Sequence, residues 1–329
     1  MHDLNHIFES ISKLKVGVIG DVMLDTYIWG KVDRISPEAP VPIVSLHHKE
    51  QRIGGAGNVG LNCRSLGAEV FILSVIGEDD EAIMLEKLFK GNKIDTHYLL
   101  QSKKRRTTNK TRILSRNQQM MRLDDEITHD LDSRDEKLLL ESLEKFIEQE
   151  DPDVLIFEDY NKGVLTEKVI AKAVALCKES GVITAVDPKR KNFFSYKGVD
   201  IFKPNLIEVK QALNILFDEA DIQMLRDIHQ ELKKKLDHKV SLITLSEKGV
   251  FYQLDSNASI LPSHLRIIAD VSGAGDTVIA VASLVYTATR NPNLMAEIAN
   301  IAGGLVCEEV GTISIDKEKL QRECELLLS

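Results

Sequence analysis

The sequence predicts an α/β protein with a doubly wound, mostly parallel sheet, helices on both faces and a small additional β flap. Short β-rich runs alternate with longer segments of helical periodicity along the 329 residues. The β-rich runs are apolar throughout, which is typical of strands that are buried on both faces. Because 43% of the residues are hydrophobic, one large core can form, and we expect a single domain over residues 1–329.

The predicted elements follow one another in the order of strands joined by crossover helices. We expect strands at 15–20, 70–75, 153–159, 182–187, 200–203 and 240–245. We expect helices near 57–66, 80–91, 134–149, 166–180, 222–236, 275–290, 294–309 and 317–328. In the segments DEKLLLESLEKFIEQ and EKVIAKAVALCKES, for example, apolar residues recur at the spacing of a helix with one buried face.

Two stretches, residues 27–48 and 107–122, depart from this alternation. The first carries Pro37, Pro40 and Pro42 among β-branched residues, and the second alternates Thr, Lys, Arg and Ile. We interpret both as strands of a small flap, or lid, beside the main sheet; the alternative is two long surface loops. Because an apolar β edge needs covering, we also expect a homodimer that forms through the lid.

Composition argues against several classes of protein. Lys plus Arg is 42 and Asp plus Glu is 51, and this formal net charge of -9 argues against a nucleic-acid partner. No apolar run approaches the ~18 residues of a membrane span, and the N-terminus lacks a signal-peptide core, so we expect a cytoplasmic protein without a membrane partner. The cysteines form no CxxC pair, and we expect reduced thiols at Cys63, Cys177, Cys307 and Cys324.

Polar side chains follow several of the predicted strands at the point where each strand ends. They are Asp21, Asp159, Asp187 and Asn205. Ligands of open parallel sheets bind outside the carboxyl ends of the strands, so these side chains predict a site at one edge of the sheet. Any one of them alone could be no more than a helix cap.

The octet DVSGAGDT, residues 270–277, directly precedes the apolar run VIAVASLV. Gly273, Ala274 and Gly275 can present backbone N–H groups to a phosphate at the start of a helix, and Asp276 stands beside them. The pattern is neither GxxxxGK[ST] nor a GxGxxG after the first strand, which makes a dinucleotide oxidoreductase a poor alternative. A simple helix cap at Asp276 is the other alternative.

This octet resembles the nucleotide-loop signature of the ribokinase, or phosphofructokinase-B type, sugar kinases. The resemblance implies that Asp276 deprotonates the substrate hydroxyl, that residues 273–275 form an anion hole for the phosphoryl group, and that ATP and Mg²⁺ are the cofactors. Phosphoryl transfer needs mainly alignment and charge stabilisation, so few reactive groups suffice. An ordinary aspartate has a pKa of about 3.9 and is a weak base, so we expect Asp276 to act late, as the O–P bond forms.

The resemblance extends over about residues 15–315. The segment IGGAGNVGLN, residues 53–62, is similar to the family's second signature, a Gly-rich turn that opens a helix. The resemblance implies that Gly54, Gly55 and Asn58 lie against the sugar hydroxyls, and Asp25 matches an early aspartate that holds the same hydroxyls. For the Gly-rich segment alone, a structural turn before a capped helix is the alternative.

Three further segments resemble the nucleotide-binding parts of the family. PNLIE (204–208) matches an Asn-x-x-Glu motif near Mg²⁺, with Glu208 as an indirect metal ligand, and a helix there would place its Asn and Glu on one face. TLSEKG (244–249) matches a strand and turn of the nucleotide pocket, and residues 299–312 match a helix and loop beside the adenine. The implied cofactor contacts are Asn205, Glu208, Thr244, Ser246, Gly249, Gly273 and Gly275.

The substrate follows from a narrower resemblance. GDVMLDTYIWGKVDRISPEAPVPIV, residues 20–44, is most similar to heptose 7-phosphate kinases of the lipopolysaccharide pathway, and segments 111–124 and 158–166 resemble the same subgroup. The implied reaction converts ATP and D-glycero-β-D-manno-heptose 7-phosphate into the 1,7-bisphosphate. Some relatives carry a fused nucleotidylyltransferase domain; because no HxGH motif is present, we expect adenylyl transfer to belong to a separate protein. Ser246 and Asn161 stand where relatives often have glycine.

A phosphorylated sugar needs cationic contacts even though the protein is acidic overall. Lys110, Arg112, Arg116 and Arg122 alternate in the flap, whereas Lys162 and Lys189 follow strand-end aspartates. We expect substrate contacts from Lys110, Arg122, Asp159, Lys162, Asp187 and Lys189. For each cation a solvated basic face is the alternative. Another sugar kinase of this fold, for example one acting on fructose 6-phosphate, and a non-catalytic ligand-binding protein also stay open.

Overall fold

A central sheet of nine strands organises the computed structural model, which describes residues 3–115, 118–217 and 220–328. These strands are β1 (Lys15–Gly20), β4 (Glu69–Ile76), β5 (Leu99–Gln101), β8 (Val154–Glu158), β9 (Ile183–Asp187), β10 (Ile201–Phe202), β11 (Val240–Thr244), β12 (Val250–Leu254) and β13 (Asn257–Leu261). Their order is β13-β12-β11-β10-β9-β8-β1-β4-β5. Only β12 runs antiparallel to the other eight strands, and the carboxyl ends of β1, β8 and β9 therefore meet at one edge.

Helices cover both faces of this sheet. They are α1 (Leu4–Ile11), α2 (Ala56–Ser65), α3 (Asp80–Gly91), α4 (Ser133–Glu150), α5 (Glu167–Ser180), α6 (Leu206–Leu213), α7 (Ile222–Leu236), α8 (Ala274–Thr289), α9 (Pro292–Val306) and α10 (Lys317–Leu327). Val18 of β1 joins the apolar core that contains α2, α8 and α9. Its neighbour Ile19 joins a second core, with α4, α5 and α7, because successive strand residues point to opposite faces. The predicted fold class is therefore confirmed.

Some short elements were missed by the sequence patterns. α1 has eight residues and β5 only three, too few for a clear period. The hairpin of β12 and β13 continues a segment that was interpreted only as a strand and turn. None of the helices in the described ranges combines the length and the apolar character needed to cross a membrane.

A second, four-stranded sheet lies beside the main one. Its strands are β2 (Val22–Ile35), β3 (Pro42–Gly55), β6 (Thr108–Ser115) and β7 (Gln118–Asp125), in the order β3-β2-β6-β7. β2 pairs antiparallel with β3 and parallel with β6, and β6 pairs antiparallel with β7. Most described residues of 27–48 and 107–122 lie in these strands, which rules out the alternative of two long loops.

The two sheets are joined through very short connections. β1 ends at Gly20 and β2 begins at Val22, so only Asp21 separates them. Gly55, at φ 58°, ends β3, and a Cβ atom there would lie 2.4 Å from the Asp21 carbonyl oxygen. Ala56 N–H, the first of α2, donates to the same oxygen at 3.0 Å. Only glycine fits this approach, and the junction holds the start of α2 against the edge of the main sheet.

A pair of buried histidines lies away from this edge, between α7 and β11. The hydroxyl of Ser241 contacts His229 Nδ1 at 2.9 Å and His238 Nε2 at 2.6 Å. Burial lowers the pKa of His229 to about 4 and that of His238 to about 3. Both imidazoles are therefore neutral in the folded protein near pH 7, and they stay neutral well below it.

This pair makes folding stability depend on pH. In the unfolded chain the imidazoles bind protons below about pH 6.5, whereas the folded chain does not, so stability falls as the pH decreases from 6.5 toward 4. Each imidazole contributes a loss of about 2 kcal/mol at pH 5. We expect His238→Gln to have a lower free energy of unfolding than the parent at pH 7, measured by urea unfolding. At pH 5 the difference between the two proteins should be smaller by about 2 kcal/mol, because only the parent loses the stability of a neutral His238. The exposed His97→Gln is the control, and a difference between His238→Gln and the parent that is equal at both pH values contradicts the expectation.

Candidate active site

The carboxylate of Asp276 lies at the start of α8 and is almost entirely buried. Gly273 is the N-cap of this helix at φ 79°, where a Cβ atom would come within 2.9 Å of Asn58 Nδ2. Asp276 in the first turn is 5% exposed. Its Oδ2 accepts a hydrogen bond from Asn58 Nδ2 at 2.8 Å, and its Oδ1 accepts one from the Tyr160 hydroxyl at 2.7 Å. Both carboxylate oxygens are thus held by the protein.

Burial changes the acid–base strength of this carboxyl group. It raises the pKa of Asp276 to about 6, although the hydrogen bonds from Asn58 and Tyr160 act in the opposite direction. The sequence-based expectation assumed an ordinary, weakly basic aspartate, and that assumption was wrong. Asp276 is ionised at pH 7 and is a stronger base than an exposed aspartate, because its charge is poorly solvated.

The first turn of α8 also offers backbone donors. Ala274 N–H makes a turn contact with the Val271 carbonyl oxygen at 3.3 Å. Helix geometry provides no intrahelical acceptor for the following N–H groups of Gly275 and Asp276. Such first-turn donors, together with the positive end of the helix dipole, favour an anion. The anion hole at residues 273–275 stays a prediction that this geometry supports.

Asp276 belongs to a cluster of three buried carboxyl groups. Oxygens of Glu158, Asp187 and Asp276 lie within 4.8 Å of one another. Neither oxygen of Glu158 has a hydrogen-bond partner among the described residues. Burial, followed by the charges of Asp187 and Asp276, raises the pKa of Glu158 well above its ordinary value. Its surroundings therefore disfavour the charged form of Glu158.

Two lysines balance the charge of Asp187. Lys203 Nζ lies 2.8 Å from Asp187 Oδ2, and Lys189 Nζ lies 3.5 Å from Asp187 Oδ1. Burial acts to raise the pKa of Asp187, but the two ammonium groups outweigh it and hold that pKa below its ordinary value. Lys189 also pairs with Glu208 Oε1 at 2.8 Å. The carboxyl cluster is thereby linked to the predicted nucleotide motif.

The Asn-x-x-Glu motif forms a capping box. Asn205 Oδ1 accepts from Glu208 N–H, and Glu208 Oε2 accepts from Asn205 N–H, both at 2.8 Å. Asn205 is thus the N-cap of α6 and not a residue on its face, which corrects the sequence-based placement. Thr244 forms a β-bridge with Asn205, so the two predicted nucleotide motifs do lie side by side.

Backbone geometry explains two departures from the family pattern. Ser246 has φ 59° and Asn161 has φ 54°, both in the left-handed region that favours glycine. Gly249, which closes the same turn as Ser246, has φ 97°, and a Cβ atom there would lie 2.0 Å from the Leu261 carbonyl oxygen. Glycine at the two non-glycine positions would therefore relieve backbone strain.

Two of the predicted sugar contacts lie side by side on neighbouring strands of the smaller sheet. Asp25 on β2 is buried and pairs with Arg112 Nη1, and a Cβ atom at Gly54 would lie 2.3 Å from Asp25 Oδ2. Asp25 and Gly54 are therefore direct neighbours, as the predicted sugar site requires. Arg112, one of the cations that the sequence placed in the flap, forms this ion pair with Asp25.

The remaining predicted cations differ in their surroundings. Lys162 Nζ pairs with Glu126 Oε1 at 2.7 Å, and burial followed by the charge of Lys162 lowers the pKa of Lys110. Lys110 and Lys162 thus form a local positive pair, whose charge Asp124 and Glu126 partly offset. Arg122 is half exposed and pairs with Asp124 at 2.8 Å. Arg116 lies outside the described residues.

Asp159 is not brought into the carboxyl cluster. Its Oδ1 accepts from Asn161 N–H and its Oδ2 from the Tyr196 hydroxyl, each at 2.8 Å, and its side chain is 1% exposed. Burial raises the pKa of Asp159 to about 6. Glu158, one residue earlier, is the side chain that joins Asp187 and Asp276. Because side chains alternate along β8, the two acids point to opposite faces.

Asp21 has a positioning role that the sequence did not reveal. Its carboxylate accepts hydrogen bonds from the backbone N–H groups of Tyr160 at 2.9 Å, Lys162 at 3.0 Å and Val164 at 3.1 Å. Asp21 therefore holds the loop of residues 160–164, which carries two side chains of the site.

The sequence analysis did not identify three side chains that complete the site. Glu158, Tyr160 and Lys203 were all overlooked. The first two adjoin the strand-end position Asp159, so extending that pattern by one residue on each side would have found them. Lys203 lies inside a predicted strand, and no local signal distinguishes it.

Comparisons with known proteins identify the family to which the chain belongs. The profile of the pfkB family carbohydrate kinases matches residues 13–319. The bifunctional protein HldE of Aliarcobacter butzleri is 39% identical over 308 residues, which is 94% of this chain and 64% of that protein. HldE of Helicobacter acinonychis is 38% identical over 307 residues, 93% of this chain and 65% of that protein. The chain thus spans about 64% of the length of the first of these relatives.

Solved structures agree on the fold. Phosphofructokinase-2 from Escherichia coli in complex with potassium superposes with a TM-score of 0.80 at 16% identity, covering 96% of this chain and 100% of that one. Arabidopsis thaliana ribokinase, complexed with ribose and ATP, superposes with a TM-score of 0.72 at 15% identity, covering 94% and 99%. At such low identity these likenesses concern the fold alone.

Proposed function

Because the chain belongs to the pfkB family of carbohydrate kinases, we propose that it phosphorylates the C1 hydroxyl of D-glycero-β-D-manno-heptose 7-phosphate, with ATP as donor and Asp276 as general base. The observation that carries the chemistry is the buried Asp276 carboxylate in the first turn of α8, with its pKa raised to about 6. The choice of sugar rests on the resemblance of residues 20–44 and on the 39% identity to HldE.

The proposed mechanism assigns one task to each part of the site. Asp276 accepts the proton of the attacking hydroxyl as the new O–P bond forms. A base whose pKa lies near the working pH combines ionisation with basicity, which is the condition for efficient general-base catalysis. The first-turn N–H groups of α8 hold the transferred phosphoryl group. Asn58 keeps the carboxylate oriented through its bond to Oδ2.

The surroundings suit a sugar that already carries a phosphate. Lys110 and Lys162 form the positive pair that would hold the 7-phosphate, while Asp25 beside Gly54 would accept sugar hydroxyls. This arrangement favours a phosphosugar over ribose.

The acidic cluster also fits Mg²⁺. Glu158 and Asp187 supply carboxylate oxygens, which this ion prefers, and Glu158 has two that no described residue occupies. When bound, Mg²⁺ neutralises charge on the ATP phosphates. Glu208 is linked to this cluster by its ion pair with Lys189, so its role in binding the metal would be indirect.

Asp276→Asn tests the base. The variant keeps the shape of the side chain and removes its proton acceptor, so turnover should fall ~100-fold or more. ATP binding, measured by calorimetry, should survive. In the parent, kcat/KM should fall below about pH 6, where Asp276 becomes protonated and cannot accept a proton. Asp221→Asn, at the N-cap of α7, is the matched control. Near-normal turnover in Asp276→Asn would remove Asp276 from the mechanism.

A substrate panel tests the sugar. ADP release should be fastest with heptose 7-phosphate and slower with fructose 6-phosphate and ribose. Faster turnover of fructose 6-phosphate would reassign the substrate within the same family. Absence of ADP release with every sugar phosphate, together with measurable ATP binding, would favour a non-catalytic ligand-binding protein.

We propose further that the protein is a homodimer joined through the four-stranded sheet. Ile35, Leu46, Met121 and Leu123 of this sheet are each more than half exposed, at 59%, 60%, 55% and 52%. Apolar exposure on a β-sheet of this kind favours an interface.

Light scattering at micromolar concentration tests the dimer. The parent should have twice the mass of one chain, and Leu46→Asp should dissociate it. Leu216→Asp, which changes an exposed leucine outside this sheet, should stay dimeric. A monomeric parent contradicts the proposal.

A further inference from the structure

Tyr160 contacts the proposed base directly, although no part of the proposed mechanism uses it. Its hydroxyl donates to Asp276 Oδ1 at 2.7 Å, on the carboxylate oxygen that Asn58 does not bond. A general base must come within hydrogen-bond reach of the proton that it removes. The phenol oxygen therefore occupies, in the free protein, a position that suits an incoming hydroxyl group.

The two donors to Asp276 differ in their freedom to move. Asn58 is fully buried inside α2, and Asn62 Nδ2 lies 2.8 Å from its backbone oxygen and 3.5 Å from its side-chain Oδ1, so it is held from both sides. Tyr160 lies in a loop after β8 and is only partly buried. Its ring is bordered by Lys189 Nζ, 5.7 Å from the ring centroid.

The backbone of Tyr160 is nevertheless held in place. Its N–H group and that of Lys162 both donate to Asp21 Oδ2. The intervening Asn161 is in the left-handed region at φ 54°. A movement of Tyr160 therefore uses rotation of its side chain and leaves the loop backbone in position.

We propose that Tyr160 is a positioning residue that covers Asp276 until a sugar hydroxyl displaces it. This inference rests on the proposed role of Asp276 as the base. In the free enzyme the phenol keeps water away from Oδ1. When the sugar binds, the side chain rotates and the attacking hydroxyl takes its place.

The cover prevents a defined side reaction. If water reached Oδ1, it could attack the γ-phosphorus: its O–H bond would break with the proton passing to Asp276, an O–P bond would form, and the β,γ-bridging P–O bond would break to release ADP. Phosphate and ADP would then form without any sugar. Keeping water out of a kinase site limits this loss of ATP.

Tyr160→Phe removes only the oxygen and leaves room for a water molecule at the carboxylate. Sugar-independent ATP hydrolysis should rise by about tenfold, which lies below a full general-base contribution. In the double variant Tyr160→Phe/Asp276→Asn this gain should disappear, because the hydrolysis runs through Asp276. Tyr98→Phe, which removes a hydroxyl bonded to Glu150 Oε1 at 2.9 Å far from the site, is the matched control and should hydrolyse ATP as the parent does.

The kinetic constants for the sugar provide a readout that a purely structural role would not change. Tyr160→Phe removes the hydrogen bond that the incoming hydroxyl must displace, so the KM for the sugar should fall while kcat for phosphorylation stays close to that of the parent.

The outcomes separate this inference from the proposed function. Full activity of Asp276→Asn would overturn the base itself. If Asp276→Asn is inactive but Tyr160→Phe shows neither increased hydrolysis nor a lower KM for the sugar, the covering role is overturned and the kinase proposal stands. A loss of sugar phosphorylation in Tyr160→Phe without increased hydrolysis also overturns it, because Tyr160 would then be needed during transfer.

Discussion

Burial of the Asp276 carboxylate beside two other acids is the constraint around which the site is arranged. An ionised carboxyl group loses most of its hydration there, so the protein must supply donors and counter-charges. Asn58 and Tyr160 supply the donors, while Lys189 and Lys203 neutralise Asp187. The remaining acid, Glu158, stays without a hydrogen-bond partner in the described chain, and its burial beside Asp187 and Asp276 raises its pKa well above the ordinary value. The three carboxyl groups are thus held in one place by three different sets of contacts.

The fold brings these groups together from distant parts of the chain. Parallel pairing of β1, β8 and β9 puts Asp21, Glu158 and Asp187 at one edge, and α8 begins at the same edge. α2 starts at the junction of the two sheets and reaches Asp276 through Asn58. The Gly-rich segment 53–62 and the octet 270–277 therefore meet at a single carboxylate, although they are far apart in sequence.

The sequence predicted much of this because its strongest signals are local. The octet 270–277 marks the start of α8, and apolar runs mark most strands of the main sheet. The pKa of Asp276 and the partner of Asp25 could not be predicted from the sequence, because both depend on contacts between residues that are remote in the chain. Tyr160 and Asp276, for example, are 116 positions apart. Asp159 was favoured over Glu158 since sequence alone does not tell which face of β8 each acid takes. Ser246 and Asn161 needed backbone angles before their departure from glycine could be understood.

The single-residue link between β1 and β2 has a mechanical consequence. Asp21 is that link, and its carboxylate also holds the backbone of residues 160–164. Its carbonyl oxygen accepts from Ala56, the residue that follows β3, so both inner ends of the smaller sheet meet at this residue. A change in the angle between the two sheets at this junction would therefore also act on the loop from which Tyr160 reaches the Asp276 carboxylate.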